Sequence, residues 1–245
     1  MATRPTPRED LRAVLFDSGG VLMRPIGGRW NPRADFEPTV LAHAPATPPE
    51  RFAAAVAAGD RFLAATSSTP ATDDYHRLLL HHLDVPPTQE LLADLRRELP
   101  AAVLLETYPD VLPTLEELAR RGVRMAVVSD AWPNLPTLHA GLGIDRFFEA
   151  YAISAVLGCN KPDPRMYHHA STALGLAPHH CLFVDDDPTL VAAALALGYT
   201  GRTLSRDTPA PAPASAPASA PASASASASA GVPAITSLAD LLSLF

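Results

Sequence analysis

Short apolar runs and amphipathic stretches alternate along most of this chain. Ala13 to Asp17 is an apolar run that ends at an aspartate and opens into a glycine-containing loop, the pattern of a buried strand. Similar runs, followed by helical spacing of apolar residues, recur later in the sequence. The further predicted strands are Val123 to Ser129, Ala150 to Ser154, Cys181 to Asp185 and, less clearly, Gly198 to Leu204, and the predicted helices are Val111 to Arg121, Leu135 to Leu142, Pro164 to Leu174 and Thr189 to Leu197. This alternation predicts an α/β fold with a doubly wound parallel sheet and helices on both faces.

The segment from about Arg24 to Leu104 interrupts the alternation. It contains no convincing strand, and its apolar residues at Pro49 to Thr66 and Leu78 to Leu83 recur near the helical period. Thr88-Gln89-Glu90 is typical of the start of another helix, which we expect to reach Leu99. The sequence therefore predicts a small helical domain, inserted after the first strand and covering the end of the sheet.

The chain also contains a stretch with a composition of its own. Pro209 to Ala230 is almost entirely Ala, Pro and Ser, and it lacks the large apolar side chains whose burial offsets the entropy of ordering, so we expect a flexible loop. Helical spacing returns between Ile235 and Phe245. The predicted organisation is a tail at 1–12, an α/β core at 13–23, 105–205 and 232–245, a helical cap at 24–104 and a flexible loop at 206–231.

Composition narrows the possible function. The formal net charge is −7, and no cluster of Lys and Arg is present, which argues against nucleic acid as a partner. The two cysteines, Cys159 and Cys181, are too few for a disulfide framework or a zinc site. Neither a signal peptide nor a membrane-spanning segment is visible, so we expect a cytoplasmic protein with no membrane partner. The oligomeric state is not indicated.

Polar side chains that can act in catalysis follow the predicted strands. Asp17 ends the first run, Ser129 and Asp130 end the second, Asn160 and Lys161 lie in the loop after the third, and Asp185-Asp186-Asp187 ends the fourth. Ligands bind beyond the carboxyl ends of the strands of a parallel sheet, so these residues are expected to meet. Carboxylates, a hydroxyl and an amine together suit a Mg²⁺ ion that bridges carboxylates to a phosphate.

The order of these segments resembles a known family. Phe-Asp-Ser-Gly-Gly-Val-Leu, Val-Val-Ser-Asp, Asn-Lys-Pro-Asp-Pro and Phe-Val-Asp-Asp-Asp are similar to the four motifs of the haloacid dehalogenase superfamily, over Ala13 to Leu204. The resemblance implies a Rossmann-like core with a helical cap where the insert lies. It further implies a Mg²⁺-dependent phosphohydrolase that acts on a small phosphorylated metabolite.

The resemblance also implies roles for individual residues. Asp17 would attack phosphorus and form an aspartyl phosphate, Ser129 would bind a phosphoryl oxygen, and Lys161 would pair with the nucleophile and the phosphate. The Mg²⁺ ligands would be the side chains of Asp17, Asp185 and Asp186 together with the carbonyl of Gly19. Trp132, which follows the serine motif, would either line the substrate pocket or pack in the core.

Gly19 departs from the pattern of the resembling phosphatases. Most of them carry a second aspartate there, whose side chain protonates the leaving group and activates water. Glycine keeps the carbonyl and loses the acid, and general acid or base catalysis is typically worth roughly 10² to 10⁴ in rate. We therefore expect slow turnover unless a cap residue or the substrate supplies the proton. The alternative is a catalytically weak protein that binds a phosphorylated ligand or a partner.

A second alternative is a 2-haloacid dehalogenase, because the dehalogenases of the superfamily also lack the second aspartate. They characteristically carry Tyr at the place of Gly19 and Ser-Ser-Asn at the place of Asp185 to Asp187. Adjacent carboxylates repel one another unless a cation lies between them. The three aspartates in this chain therefore favour the metal-dependent interpretation.

Overall fold

The computed structural model describes residues 11–206 and 232–245. Within them the strands are β1 (Ala13–Phe16), β2 (Met23–Pro25), β3 (Leu105–Thr107), β4 (Arg124–Ser129), β5 (Ala150–Ile153), β6 (Cys181–Asp185), β7 (Thr200–Leu204) and β8 (Ala234–Ile235). The α-helices are α1 (Phe36–His43), α2 (Glu50–Ala65), α3 (Thr72–Leu83), α4 (Gln89–Arg96), α5 (Ala101–Leu104), α6 (Val111–Arg120), α7 (Leu135–Gly141), α8 (Ser154–Leu157), α9 (Pro164–Ala173) and α10 (Pro188–Ala196). Residues 1–10 of the predicted tail at 1–12 lie outside the described residues. So do residues 207–231 of the predicted loop at 206–231.

Six strands form the central sheet, in the order β5-β4-β1-β6-β7-β8, and every neighbouring pair is parallel. The centre of the sheet is β1, all four residues of which are buried. Its side chains alternate between the two faces: Val14 and Phe16 join one hydrophobic cluster with α6, and Ala13 and Leu15 join another with α9 and α10. Helices therefore cover both faces, which confirms the predicted doubly wound α/β fold.

Helices α1 to α4 have a hydrophobic cluster of their own, whose buried members include Phe36, Phe52 and Leu80. The predicted helix start at Thr88 is confirmed, because its hydroxyl accepts a hydrogen bond from Leu91 N. Helix α4 ends before Leu99, whose position ahead of a proline disfavours helical backbone. The division into a cap at 24–104 and a core remains a prediction.

Two further predictions about this segment were wrong in part. Helix α3 begins at Thr72 instead of Leu78, and two aspartates in its first turn favour this earlier start. The segment 24–104 is not free of strands, because β2 includes Arg24 and Pro25 and pairs antiparallel with β3. Both strands have three residues, too few for a visible alternation.

The C-terminal segment also differs from its predicted form. Ile235 belongs to β8 and pairs with Leu204, and a 3₁₀-helix then spans Leu238–Ser243. Ser237 and Asp240 form a capping box at its start. Leu238 and Leu241 are nevertheless fully buried in the core.

A single carboxylate joins both sides of the segment 207–231. Asp110 accepts hydrogen bonds from Arg206 Nη1 at 2.9 Å, from Ser237 Oγ at 2.8 Å and from Leu238 N at 2.8 Å. Arg206 Nη2 also donates to Val21 O at 2.7 Å. Arg206 and Ser237 therefore lie close together in the fold.

Among the described residues, no helix is both long enough and apolar enough to cross a bilayer.

Candidate active site

The predicted site residues lie at the carboxyl ends of three adjacent strands. Asp17 follows β1, Ser129 is the last residue of β4, and Asp185 is the last residue of β6. These strands are neighbours in the order β4-β1-β6, so their ends open onto the same place. Ser129 is buried and lies two residues beyond Val127, the partner of Phe16 in the sheet.

Lys161 lies between two of the aspartates. Its Nζ atom is 2.6 Å from Asp17 Oδ1 and 2.7 Å from Asp185 Oδ2. The side chains of Lys161, Asp17 and Asp185 are only 3%, 9% and 1% exposed, respectively. Since little water screens these charges, the ammonium group fixes both carboxylates in place.

The loop that carries Lys161 is held from two sides. The backbone N of Lys161 donates to Asp130 Oδ1 at 3.0 Å, which ties the loop to the end of β4. Asn160 connects the loop to the end of α2, because its backbone N donates to Ser67 O at 2.8 Å and its side chain donates to Thr66 O at 3.1 Å. Asp130 is thus a positioning residue that the motif alone did not reveal.

Asp186 completes a cluster of three carboxylates. One oxygen from each of Asp17, Asp185 and Asp186 lies within 4.8 Å of the other two. Burial raises the pKa of Asp17 to about 7, although Lys161 offsets part of that effect. Burial and the neighbouring Asp185 also raise the pKa of Asp186. Three carboxyl groups face one ammonium group, so the cluster has an excess of negative charge that suits a cation.

Gly20 allows the first and last motifs to approach each other. Its φ is +76°, and a Cβ atom built there would overlap the Asp186 carboxylate. A side chain at position 20 is therefore excluded both by backbone conformation and by contact. The sequence offered this residue only as part of a motif, because the overlap involves a residue far along the chain.

We expect Gly20→Ala to weaken the binding of a divalent cation by the carboxylate cluster by about 10- to 100-fold, because Asp186 must move. The left-handed backbone should also cost about 1–2 kcal/mol in the free energy of unfolding. Isothermal titration with MgCl₂ and urea denaturation measure the two effects. Gly175→Ala is the matched control, since Gly175 has φ +63° with nothing within 4 Å of a built Cβ. Equal Mg²⁺ affinity in both variants would contradict the role of the Asp186 contact.

A buried network of hydrogen bonds adjoins Asp17. Ser18 Oγ is 2.8 Å from His139 Nε2, and His139 Nδ1 is 3.2 Å from Tyr151 Oη. Burial lowers the pKa of His139 to about 4, so the ring is neutral near pH 7. These hydrogen bonds hold Ser18, the residue next to Asp17, in place. Nothing in the sequence indicated it, because a single histidine on a helix gives no pairing signal.

The two tryptophans near the site have different environments. Trp132 Nε1 donates to Pro70 O at 2.8 Å, and its ring lies 5.9 Å from that of Tyr75, so Trp132 packs against the start of α3. Trp30 lies against Gly19: a Cβ built on Gly19 would be 3.1 Å from Trp30 Cζ2. Trp30 is 42% exposed. Trp30 lies in an irregular segment with no motif, so nothing in the sequence indicated its place beside Gly19.

The loop after β6, which contains the three aspartates, includes a helix cap. Asp187 accepts from Thr189 N and caps α10, and its own backbone N donates to Asp185 Oδ1 at 2.9 Å. Both cysteines are free thiols and are buried.

Comparison with known proteins gives consistent matches. Residues 11–198 match the family model described as haloacid dehalogenase-like hydrolase. Glyceraldehyde 3-phosphate phosphatase of Methanopyrus kandleri is 32% identical over 123 residues, covering 44% of this chain and 48% of that protein. (S)-2-haloacid dehalogenase 4A of Burkholderia cepacia is 31% identical over 110 residues, covering 44% of this chain and 47% of that protein. The chain thus spans about half the length of these curated relatives.

A solved structure, the HAD phosphatase from Thermococcus onnurineus, is 21% identical and aligns with a TM-score of 0.53 over 80% of this chain and 87% of that one. At this identity the likeness concerns the fold.

Proposed function

This chain belongs to the haloacid dehalogenase-like hydrolases, and we propose that it is a Mg²⁺-dependent phosphohydrolase that acts on a small phosphorylated metabolite. The observation that carries the proposal is the arrangement of Lys161 between Asp17 and Asp185, with Asp186 alongside. A nucleophilic carboxylate held by an ammonium group, next to further carboxylates, suits attack on a phosphate better than attack on a neutral carbon centre.

The residues present fit a divalent cation. Asp17, Asp185 and Asp186 offer hard oxygen donors within 4.8 Å of one another, and Lys161 neutralises only one of the three charges. The carbonyl of Gly19 is our proposed fourth protein ligand. A bound Mg²⁺ ion would supply positive charge that lowers the repulsion between the carboxylate nucleophile and the phosphate.

The proposed reaction has two steps. A carboxylate oxygen of Asp17 attacks phosphorus, the bond from phosphorus to the leaving oxygen breaks, and that oxygen keeps the electron pair. Lys161 neutralises charge on Asp17 and the phosphoryl group, and Ser129 donates a hydrogen bond to a phosphoryl oxygen. Water then hydrolyses the aspartyl phosphate, which releases inorganic phosphate and restores Asp17.

A dehalogenase is the second candidate, favoured by the relative from Burkholderia cepacia. In that reaction Asp17 would attack carbon and displace a halide without a metal. The excess of carboxylates favours the phosphohydrolase, because in a metal-independent reaction no cation would balance the negative charge of Asp186. The third candidate is a catalytically weak protein that binds a phosphorylated ligand or a partner. It follows from Gly19, which has no acidic side chain.

We expect MgCl₂ to be required for phosphate release from a panel of phosphorylated metabolites, and excess EDTA to abolish that release. Inorganic phosphate measured after each incubation tests the proposal, and halide released from a short 2-haloacid in EDTA is measured in parallel. Halide release without phosphate release would replace the phosphohydrolase with the dehalogenase. Ligand binding with turnover no faster than that of Asp17→Asn would favour the binding protein.

A further inference from the structure

The space beside Gly19 is filled by an aromatic ring. The three atoms nearest to a Cβ built on Gly19 are Cζ2, Cη2 and Cε2 of Trp30, at 3.1, 3.4 and 3.5 Å. Real Cβ atoms rarely approach another atom as closely as 3.1 Å, so even a short side chain at position 19 would push the indole aside. Position 19 thus lacks an acid and has little room for a side chain on the side of Trp30.

The ring cannot take over the acid's chemistry. The indole of Trp30 has one N–H group, which donates a hydrogen bond but does not transfer its proton near neutral pH. In the phosphatases that this chain resembles, the acid at this position protonates the leaving oxygen, whereas here position 19 faces C–H edges of the Trp30 indole. An efficient substrate is therefore one whose leaving oxygen departs without receiving a proton from the residue at position 19.

From this contact we propose that the enzyme prefers phosphate compounds whose leaving group departs as a stable anion, namely acyl phosphates or phosphate esters of acidic hydroxyls such as phenols. The inference rests on the proposed phosphohydrolase function and names its substrate class. It concerns the first step, in which Asp17 attacks phosphorus and the leaving group departs.

The chemistry of that step balances without a proton. The Asp17 carboxylate and an acyl phosphate give the aspartyl phosphate and a free carboxylate, and the electron pair of the broken bond stays on the departing oxygen. An alcohol that departs as an alkoxide needs a proton in the transition state, and its provision by a general acid is worth roughly 10² to 10⁴ in rate. Carboxylates and activated phenolates lose much less when the acid is absent.

The exposed part of Trp30 agrees with a flat leaving group. The side chain is 42% exposed while one edge of its ring faces position 19, so part of its apolar surface is open to solvent. Planar acyl and aryl groups pack against such a surface.

The inference is tested with the full-length protein in MgCl₂, by measuring kcat/KM for 4-nitrophenyl, phenyl and benzyl phosphate and for acetyl phosphate. This ratio reports the first step, whatever the rate of aspartyl phosphate hydrolysis. We expect at least a ~100-fold decrease from 4-nitrophenyl to benzyl phosphate. Both contain a ring, so the decrease reports the acidity of the leaving group. Acetyl phosphate has no ring, and it separates acyl from aryl preference.

Two variants sharpen the test. In Gly19→Asp/Trp30→Ala the acid is present and the ring is gone, so kcat/KM for benzyl phosphate should rise by about tenfold or more relative to that for 4-nitrophenyl phosphate. Trp30→Ala alone is the control, and its decrease along the series should stay as steep as in the unmodified protein.

The outcomes separate this inference from the proposed function. Phosphate release that is equally efficient from benzyl and 4-nitrophenyl phosphate would overturn the inference and leave the phosphohydrolase standing. No phosphate release from any compound, including the metabolite panel, would overturn both. The series measured on the unmodified protein decides the matter even if the double variant does not fold.

Discussion

Replacement of Asp17 by asparagine is expected to abolish phosphate release, with a loss of at least ~10⁴-fold in kcat. The amide has almost the same shape as the carboxylate but is a poor nucleophile, and it cannot form the aspartyl phosphate. Its interaction with Lys161 Nζ, now 2.6 Å from Asp17 Oδ1, also loses the attraction between opposite charges. Steady-state phosphate release and trapping of a phosphorylated protein in acid both measure the effect.

Asp187→Asn is the matched control for this substitution. Asp187 is exposed and caps α10, and asparagine is an equally good N-cap residue. The control should therefore retain the activity of the unmodified protein. An Asp17→Asn variant that remained as active as the control would exclude Asp17 as the nucleophile.

The second large effect is expected for Lys161→Met, which removes the only ammonium group in contact with two buried carboxylates among the described residues. Loss of one partner from a buried ion pair costs about 3–5 kcal/mol, because the remaining charge is left uncompensated. Activity should fall by about 10³-fold or more, since Asp17 loses its orientation and the phosphate loses a neutralising charge. Urea denaturation and phosphate release measure these two losses.

A double variant separates the effect of charge from that of packing. Lys161→Met/Asp17→Asn leaves one fewer uncompensated carboxylate, so it should be more stable than Lys161→Met alone, although neither should be active. If the added Asp17→Asn substitution gave no gain in the free energy of unfolding, repulsion between the buried carboxylates would not be the source of the loss. Both variants are measured in EDTA, so that metal binding does not contribute.

The sequence predicted those parts of the fold in which one side-chain pattern extends over many residues. The apolar runs that became β1, β4 and β6 are buried almost throughout, and the run that became β5 is buried in its second half. Buried strands of this kind remain visible without alternation. Their order along the chain was sufficient to predict a doubly wound sheet, because crossover connections follow few rules. Strands β2 and β3 were missed because a three-residue ladder is fixed by its partner and not by its own composition.

The candidate site divides in a similar way. Asp17, Lys161, Asp185 and Asp186 were predictable, because each follows or lies near a strand end and the parallel sheet brings these ends together. The residues that shape their surroundings were not. His139 meets Ser18 across 121 positions of sequence, and Trp30 reaches Gly19 from an irregular segment. Contacts of this kind depend on how helices and loops pack, which no local pattern encodes.

The three hydrogen bonds accepted by Asp110 have a consequence for how this chain can evolve. Arg206 on one side of residues 207–231, and Ser237 and Leu238 on the other, are all held by that carboxylate, and β7 pairs with β8 across the same junction. The ends of the intervening sequence are therefore fixed independently of its length. For the flexible loop that the composition of this stretch predicts, doubling the length costs only about 0.6 kcal/mol, so we expect insertions and deletions there to be nearly neutral for folding. Selection on stability thus leaves the number of residues between β7 and β8 almost free to drift.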